Sequence, residues 1–200
     1  MENRTISYYS SHAEEYANST WDARMSGIYS HFIPLLKERS SILDLGCGSG
    51  RDTAYFISKG FSVTAVDGTP ELCRIAEQNT GCSVRCMLFE DLDYIDAFDG
   101  VWACSSLLHV KKESLPDIFR KIHRALRNNG YFYSSFKYGD AECERSGRDF
   151  TDLNAEEFLS IATGAGFSPV DIFITGDARI GREHEKWLNA IVKKAMPQLE

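Results

Sequence analysis

Ile42-Leu43-Asp44-Leu45-Gly46-Cys47-Gly48-Ser49-Gly50 is an apolar run holding one acid, followed by three glycines at alternate positions. Residues 40–45 read as a short strand. The glycines let the chain turn tightly after it and bring the backbone close to a ligand. Residues 61–66 form a second apolar strand, closed by Asp67. In an open α/β sheet, ligands bind beyond the carboxyl ends of the strands. An acid ending the second strand is placed to accept two hydrogen bonds from ribose hydroxyls. A glycine loop and such an acid together are a far stronger signal than either alone.

The same alternation continues outward. Residues 53–58 read as a helix closed by Gly60. Thr69-Pro70-Glu71 opens the next helix, with Thr69 as N-cap and proline in the first turn. Leu72, Ile75 and Ala76 form its inner face. Strands follow at 83–88 and 99–104, the latter apolar on both faces as in a buried parallel sheet. Leu115, Ile118, Phe119, Ile122 and Leu126 lie at helical spacing, ending at Asn129-Gly130, and a fifth strand covers 131–136. Five alternations argue a doubly wound parallel α/β sheet. Asn154 caps a helix reaching Ala165, and 168–174 read as a strand. Residues 187–193 fit either period; topology favours a strand, with 172–192 pairing back antiparallel at the sheet edge. Residues 139–149 read as a polar loop inserted above the sheet.

The 200 residues carry a net charge of −7, with 43% hydrophobic and 26% charged residues, which suits one soluble domain spanning 1–200. An acidic chain disfavours non-specific binding to nucleic acid or anionic lipid. No apolar run approaches the ~20 residues of a membrane span. Met1-Glu2-Asn3-Arg4 lacks the basic-then-apolar pattern of a leader, so a cytosolic protein is expected. The six cysteines contain no C-x-x-C pair and read as buried thiols, with no metal site. Residues 1–35 carry Tyr8, Tyr9, Tyr16, Trp21 and Tyr29 among polar residues, with Ile28, Phe32 and Ile33 at helical spacing. Such a segment is expected to form a helical lid that folds over the crevice and excludes water.

The glycine spacing is G-x-G-x-G, not the G-x-G-x-x-G of dinucleotide enzymes. Asp44 beside a pyrophosphate would repel it, whereas a cationic sulfonium bearing an amino-acid group would be welcome. The physics therefore leans from a nicotinamide cofactor toward S-adenosylmethionine.

Residues 42–50 resemble the first motif of class I S-adenosylmethionine-dependent methyltransferases, and Asp67 resembles the acid of their second. Glu90-Asp91-Leu92 resembles the adenine-contacting segment, and residues 98–109 the fourth-strand motif. Asn128-Asn129-Gly130 stands where many relatives have Lys-Pro-Gly. The similarity covers roughly residues 35–175, and is nearest to small bacterial methyltransferases labelled tellurite-resistance-like. The resemblance implies a Rossmann-like seven-stranded sheet of order 3-2-1-4-5-7-6, last strand antiparallel, with helices on both faces. It also implies a loop at 138–152 over the active site. S-adenosyl-L-methionine, with S-adenosyl-L-homocysteine as product, would be held by Tyr16, Asp44, Gly46, Cys47, Gly48 and Gly50. Asp67, Gly68, Thr69, Glu90, Asp91, Leu92 and Cys104 would complete that site.

In-line methyl transfer needs mainly alignment and exclusion of water. A base is required only when the acceptor must shed a proton. His109, after the fourth strand, is the best candidate for that role; its alternative is to cap the next helix or to be hydrogen-bonded beneath the pocket. Lys137 is the second catalytic candidate, and with Arg148 it suits an anionic acceptor; the alternative for both is a solvated loop charge. Arg179, Arg182 and Lys186 alternate with Glu183 and Glu185 and read as ion pairs. A small-molecule acceptor is expected, with no membrane and no nucleic-acid partner. The alternatives are a metalloid oxyanion such as tellurite, an RNA or protein substrate, and a non-catalytic cofactor-binding module.

Overall fold

A computed structural model of the chain describes residues 4–179 and 181–195. Residues 1–3 of the expected lid segment lie outside the described residues. The chain opens with helices α1 (Arg4–Ser11), α2 (Ala13–Thr20) and α3 (Ser26–Phe32). Then β1 (Ser41–Leu45), α4 (Arg51–Ser58), β2 (Ser62–Asp67), α5 (Pro70–Thr80), β3 (Val84–Cys86) and β4 (Phe98–Ala103) alternate. They are followed by α6 (Leu115–Ala125), β5 (Leu126–Lys137), the strands β6 (Glu142–Arg145) and β7 (Arg148–Thr151), and α7 (Ala155–Gly164). Strands β8 (Phe167–Thr175) and β9 (Trp187–Lys194) complete the chain.

The main sheet runs β3-β2-β1-β4-β5-β9-β8, which is the expected order 3-2-1-4-5-7-6 once the separate β6–β7 pair is set aside. Strand β1 lies between β2 and β4, parallel to both, while β9 runs antiparallel to β5 and β8. Alternate residues of a strand face opposite sides of the sheet. Leu43, Leu45 and Val101 therefore meet Leu115, Ile118, Phe119 and Ile122 of α6 on one side. Ile42 and Trp102 meet Phe32 of α3 and Phe56 of α4 on the other, where the Trp102 ring stacks on Tyr133 at 3.9 Å. This aromatic layer fixes α3 against the sheet.

Several boundaries differ from the sequence reading. Helix α6 stops at Ala125 instead of reaching Asn129-Gly130, because Leu126 turns extended (ψ 142°) and enters β5. Asn129 then takes a left-handed conformation, and the pairing with β4 jumps from Leu126 to Tyr131. The third strand is shorter than 83–88, and residues 89–91 form one 3₁₀ turn. The Thr69 side chain makes no capping hydrogen bond; its backbone N–H donates to Asp67 instead. The insert at 138–152 is no plain loop: β6 and β7 pair antiparallel across Ser146-Gly147, both left-handed as a tight hairpin requires. Strand β9 lies inside the sheet, and β8 takes the edge. Asn154 and Glu157 form the reciprocal cap that opens α7. All six cysteines are free, but only Cys47 and Cys73 are buried; Cys86 is exposed.

Candidate active site

The turn after β1 is held from below. The N–H groups of Gly46 and Cys47 both donate to the Val66 carbonyl, and Ser106 Oγ donates to the Leu45 carbonyl. Gly46 has φ +80°, and a Cβ there would lie 2.4 Å from Ser106 Cβ, so only glycine fits. At Gly48, φ +57°, a Cβ would press on the Tyr16 ring at 3.3 Å. The loop thus brings bare backbone to the crevice on one side, and the Tyr16 ring of α2 packs onto it from the other.

Asp67 ends β2 beside this loop. One carboxylate oxygen accepts from Gly48 N–H at 2.9 Å, the other from Thr69 N–H at 2.8 Å. Burial pushes its pKa up, against the lowering effect of those two donors. Gly46, Gly48, Asp67, Gly68 and Thr69 line a cavity of about 620 Å³ whose far wall is Leu72, Met87, Leu88 and Phe89. A Cβ on Gly68 would approach Ile6 and Leu88 to 3.0 and 3.1 Å, so a side chain there would crowd both neighbours. A carboxylate for vicinal hydroxyls, an apolar slot for a base and open backbone for an amino-acid group are the donor and acceptor set of an adenosyl amino-acid cofactor. The residues fit that group.

A second cavity of about 140 Å³ adjoins the first, and Tyr9, Tyr16, Ser105 and His109 line both. His109 Nδ1 lies 2.7 Å from the Asp149 carbonyl, and Nε2 lies 3.0 Å from Tyr9 Oη. A carbonyl only accepts, so neutral His109 carries its proton on Nδ1 and Nε2 accepts from the tyrosine. Burial lowers the imidazole pKa to about 4, which keeps it neutral. Arg148 Nη1 donates to the same Tyr9 oxygen at 3.4 Å. Burial raises the Tyr9 pKa, with Arg148 acting in the opposite direction. Lys137 is ion-paired to Glu185, lies 3.8 Å from Asp177 and sits over the Trp187 ring. Burial lowers its pKa to about 8.

Beneath the second cavity, Asp52 is buried under four donors. Tyr29 Oη and Arg51 Nε reach one oxygen at 2.6 Å each; Trp102 Nε1 and Arg51 Nη2 reach the other at 2.7 and 2.9 Å. Burial pushes this carboxyl up, but the Arg51 charge and these hydrogen bonds outweigh it and hold it below the usual carboxylate range. Arg51 Nη1 also donates to the Thr20 carbonyl at 3.2 Å, tying the end of α2 to the first turn of α4.

The structure brings Tyr16, Gly46, Gly48, Asp67, Gly68, Thr69 and Glu90 to the larger cavity, and His109 to the wall shared by both. Lys137 and Cys104 line the smaller one. Asp44, Cys47, Gly50, Asp91 and Leu92 line neither. Asp44 is 2% exposed and accepts from Thr53 Oγ1 at 2.6 Å. Burial and then the Asp52 charge push its pKa up to about 8, so it supports the loop rather than presenting a charge to the crevice. Gly50 packs against Thr80 and Ala76, and Leu92 is core. Two groups escaped the sequence reading. Tyr9 stood out only as one of five aromatics, and nothing in its spacing signals a partner 100 residues away. The Arg51–Asp52 pair directly follows the glycine loop, and adjacent opposite charges at a helix start were the available clue.

Comparison with known proteins agrees with this geometry. A family model described as a methyltransferase domain matches residues 42–130. The Bacillus subtilis protein YqeM, named as a methyltransferase, is 34% identical over 116 residues, 52% of this chain and 47% of that protein. A methyltransferase of Staphylococcus carnosus with no assigned substrate in its name is 25% identical over 122 residues, 55% of this chain and 59% of its own. The chain spans about half the length of these curated relatives. Among solved structures, the Burkholderia thailandensis 1,6-didemethyltoxoflavin-N1-methyltransferase superposes with a TM-score of 0.80 at 26% identity. It covers 96% of this chain and 87% of that one, and was solved with 1,6-didemethyltoxoflavin and S-adenosylhomocysteine bound.

Proposed function

We propose that the chain is a class I S-adenosylmethionine-dependent methyltransferase that methylates a small-molecule acceptor; the methyltransferase-domain match over residues 42–130 and the likeness to the Burkholderia enzyme support this. The observation that carries this reading is the pair of adjoining cavities, one floored by the glycine loop and Asp67, the other closed by α1, α2 and the hairpin. S-adenosylmethionine supplies a methyl group already activated on sulfonium sulfur. Asp67 would hold the ribose hydroxyls, Leu72, Met87, Leu88 and Phe89 the adenine, and the open backbone at Gly46 and Gly48 the amino-acid portion. Tyr16 shields the loop from water. His109 Nε2 accepts the Tyr9 hydroxyl hydrogen bond and so orients that hydroxyl at the wall common to both cavities, where it would position the acceptor. Lys137, held by Glu185 and Asp177, is a wall of the acceptor cavity and not a base.

The small cavity favours a small acceptor over a nucleic acid or protein, in keeping with the acidic chain. The Burkholderia relative, whose name specifies methylation of a heterocycle nitrogen, supports the same class. The test has two parts. Calorimetry is expected to show S-adenosylhomocysteine binding and no NAD binding; the reverse overturns the reading. Product formation is then followed across small acceptors, with tellurite and selenite included. Cofactor binding without turnover on any acceptor would favour a binding module.

A further inference from the structure

The second cavity is bordered by five cations: Arg51, Lys137, Arg148, Arg179 and Arg182. Four lie on carboxylates, although Asp177 and Glu185 serve three of them between the two. Arg51 lies on Asp52, Arg179 on Asp177 at 2.6 Å, Arg182 on Glu185 at 2.5 Å, and Lys137 between Glu185 and Asp177. Arg148 differs. Among the described residues no carboxylate lies within ion-pair distance of it. Its Nη1 makes one long hydrogen bond to Tyr9, and its Nε is buried with no partner. A guanidinium offers five N–H donors, and leaving a buried one unpaired is unfavourable. The group is nevertheless held in place, with the Tyr8 ring at 4.4 Å and the Phe150 ring at 5.3 Å.

The space beside it is limited. A cavity of about 140 Å³ compares with the ~150 Å³ that accommodates benzene in an engineered core. Its walls include Tyr9, Phe150 and Trp187, surfaces on which a planar ring stacks well. Asn189 and Ser135 add polar edges.

We propose that the acceptor is a monocyclic aromatic or heteroaromatic anion whose negative group is held by Arg148. The proposal rests on the methyltransferase reading, since it takes this cavity as the acceptor's. A carboxylate or ring oxyanion supplies the counter-charge that this guanidinium lacks, and the ring fills the space between the aromatic walls. The positive site is local: the chain as a whole carries −7, so general electrostatics does not attract anions to it.

The experiment uses the full chain saturated with S-adenosylhomocysteine, whose binding is measured first and alone. If that step fails, the methyltransferase reading fails, whatever the cavity holds. The probes are salicylate, 3-hydroxybenzoate, 4-hydroxybenzoate and nicotinate, each paired with its neutral amide, and titrated by calorimetry. At least one acid is expected to bind about 10- to 100-fold tighter than its amide, the range of one charge-assisted hydrogen-bonded pair. In Arg148→Met that ratio falls to about one while amide binding is kept, which also shows that the variant folds. Arg148→Lys is expected to retain part of the preference. Equal binding of acids and amides to the unaltered protein overturns the proposal. So does a preference that survives Arg148→Met. Binding of S-adenosylhomocysteine but of no ring compound overturns it as well, and saturable binding of tellurite or selenite in their place assigns the site to a ringless oxyanion.

Discussion

The two cavities of this protein are built in opposite ways. The larger is centred on backbone: one loop after β1, one acid at the end of β2 and one short turn after β3, with α1, α2, residues 105–114 and Asp149 completing its walls. The smaller is made by side chains from α1, α2, the end of β4, β5, the β6–β7 hairpin and the chain around β8 and β9. A backbone cradle tolerates little change, because its shape depends on dihedral angles that only certain residues adopt. A side-chain cavity can be refitted residue by residue on the same frame. The methyltransferase-domain match over residues 42–130 takes in the backbone cradle and only part of the side-chain cavity.

That contrast can be tested directly. The largest effect is expected from deleting residues 1–20, which removes both Tyr9 and Tyr16 from the wall common to the two cavities. Turnover should vanish and cofactor affinity fall, while circular dichroism still reports the sheet. Normal turnover would remove the segment from the site. Hydrogen exchange over residues 5–25 is expected to slow when S-adenosylhomocysteine is added; equal rates would make it a fixed wall instead of a lid.

Asp67→Ala comes next. It deletes the acceptor of the Gly48 and Thr69 N–H groups and the proposed ribose contact. Two charge-assisted hydrogen bonds at ~1.5–3 kcal/mol each give about a 100-fold or greater loss of S-adenosylhomocysteine affinity by calorimetry. An unchanged dissociation constant would move the ribose elsewhere. Gly48→Val is expected to cost about tenfold in the same titration: a left-handed branched residue is strained by about 1–2 kcal/mol, and its Cβ meets Tyr16.

The smallest effect concerns His109. Its folded pKa, about 4, lies below the ordinary 6.5. The unfolded chain therefore takes up the proton first, so His109 lowers stability as pH falls from about 6.5 to about 4 and leaves it unaffected above. Denaturant midpoints at pH 7, 5.5 and 4.5 should decline less steeply in His109→Gln, by at most about 1.4 kcal/mol per pH unit. Nitrogen NMR should find the neutral Nδ1–H form at pH 6. A charged ring there would contradict the hydrogen bonds to Asp149 and Tyr9.

The legibility of the sequence follows the same division. The glycine loop and Asp67 could be read because their chemistry is local: spacing along one strand, turn and helix dictates the geometry. The strand order followed from the alternation and the resemblance. Asp44 could not be placed from the sequence, because a strand's acid can face the crevice or the core; in the structure it is buried and accepts from Thr53. The end of α6 was misjudged because Leu126 continues the helical spacing, yet its burial is supplied by β5. The Tyr9–His109–Arg148 contacts were invisible, since they join three segments that meet only through the fold.

Tyr9 and Tyr16 border both cavities at once. Any occupant of one that shifts the resting positions of these rings alters the space offered to an occupant of the other. Thermodynamic reciprocity then makes the effect symmetrical: the factor by which the cofactor product changes acceptor affinity equals the factor by which the acceptor changes product affinity. A common aromatic partition would thus tie the occupancy of one cavity to that of the other.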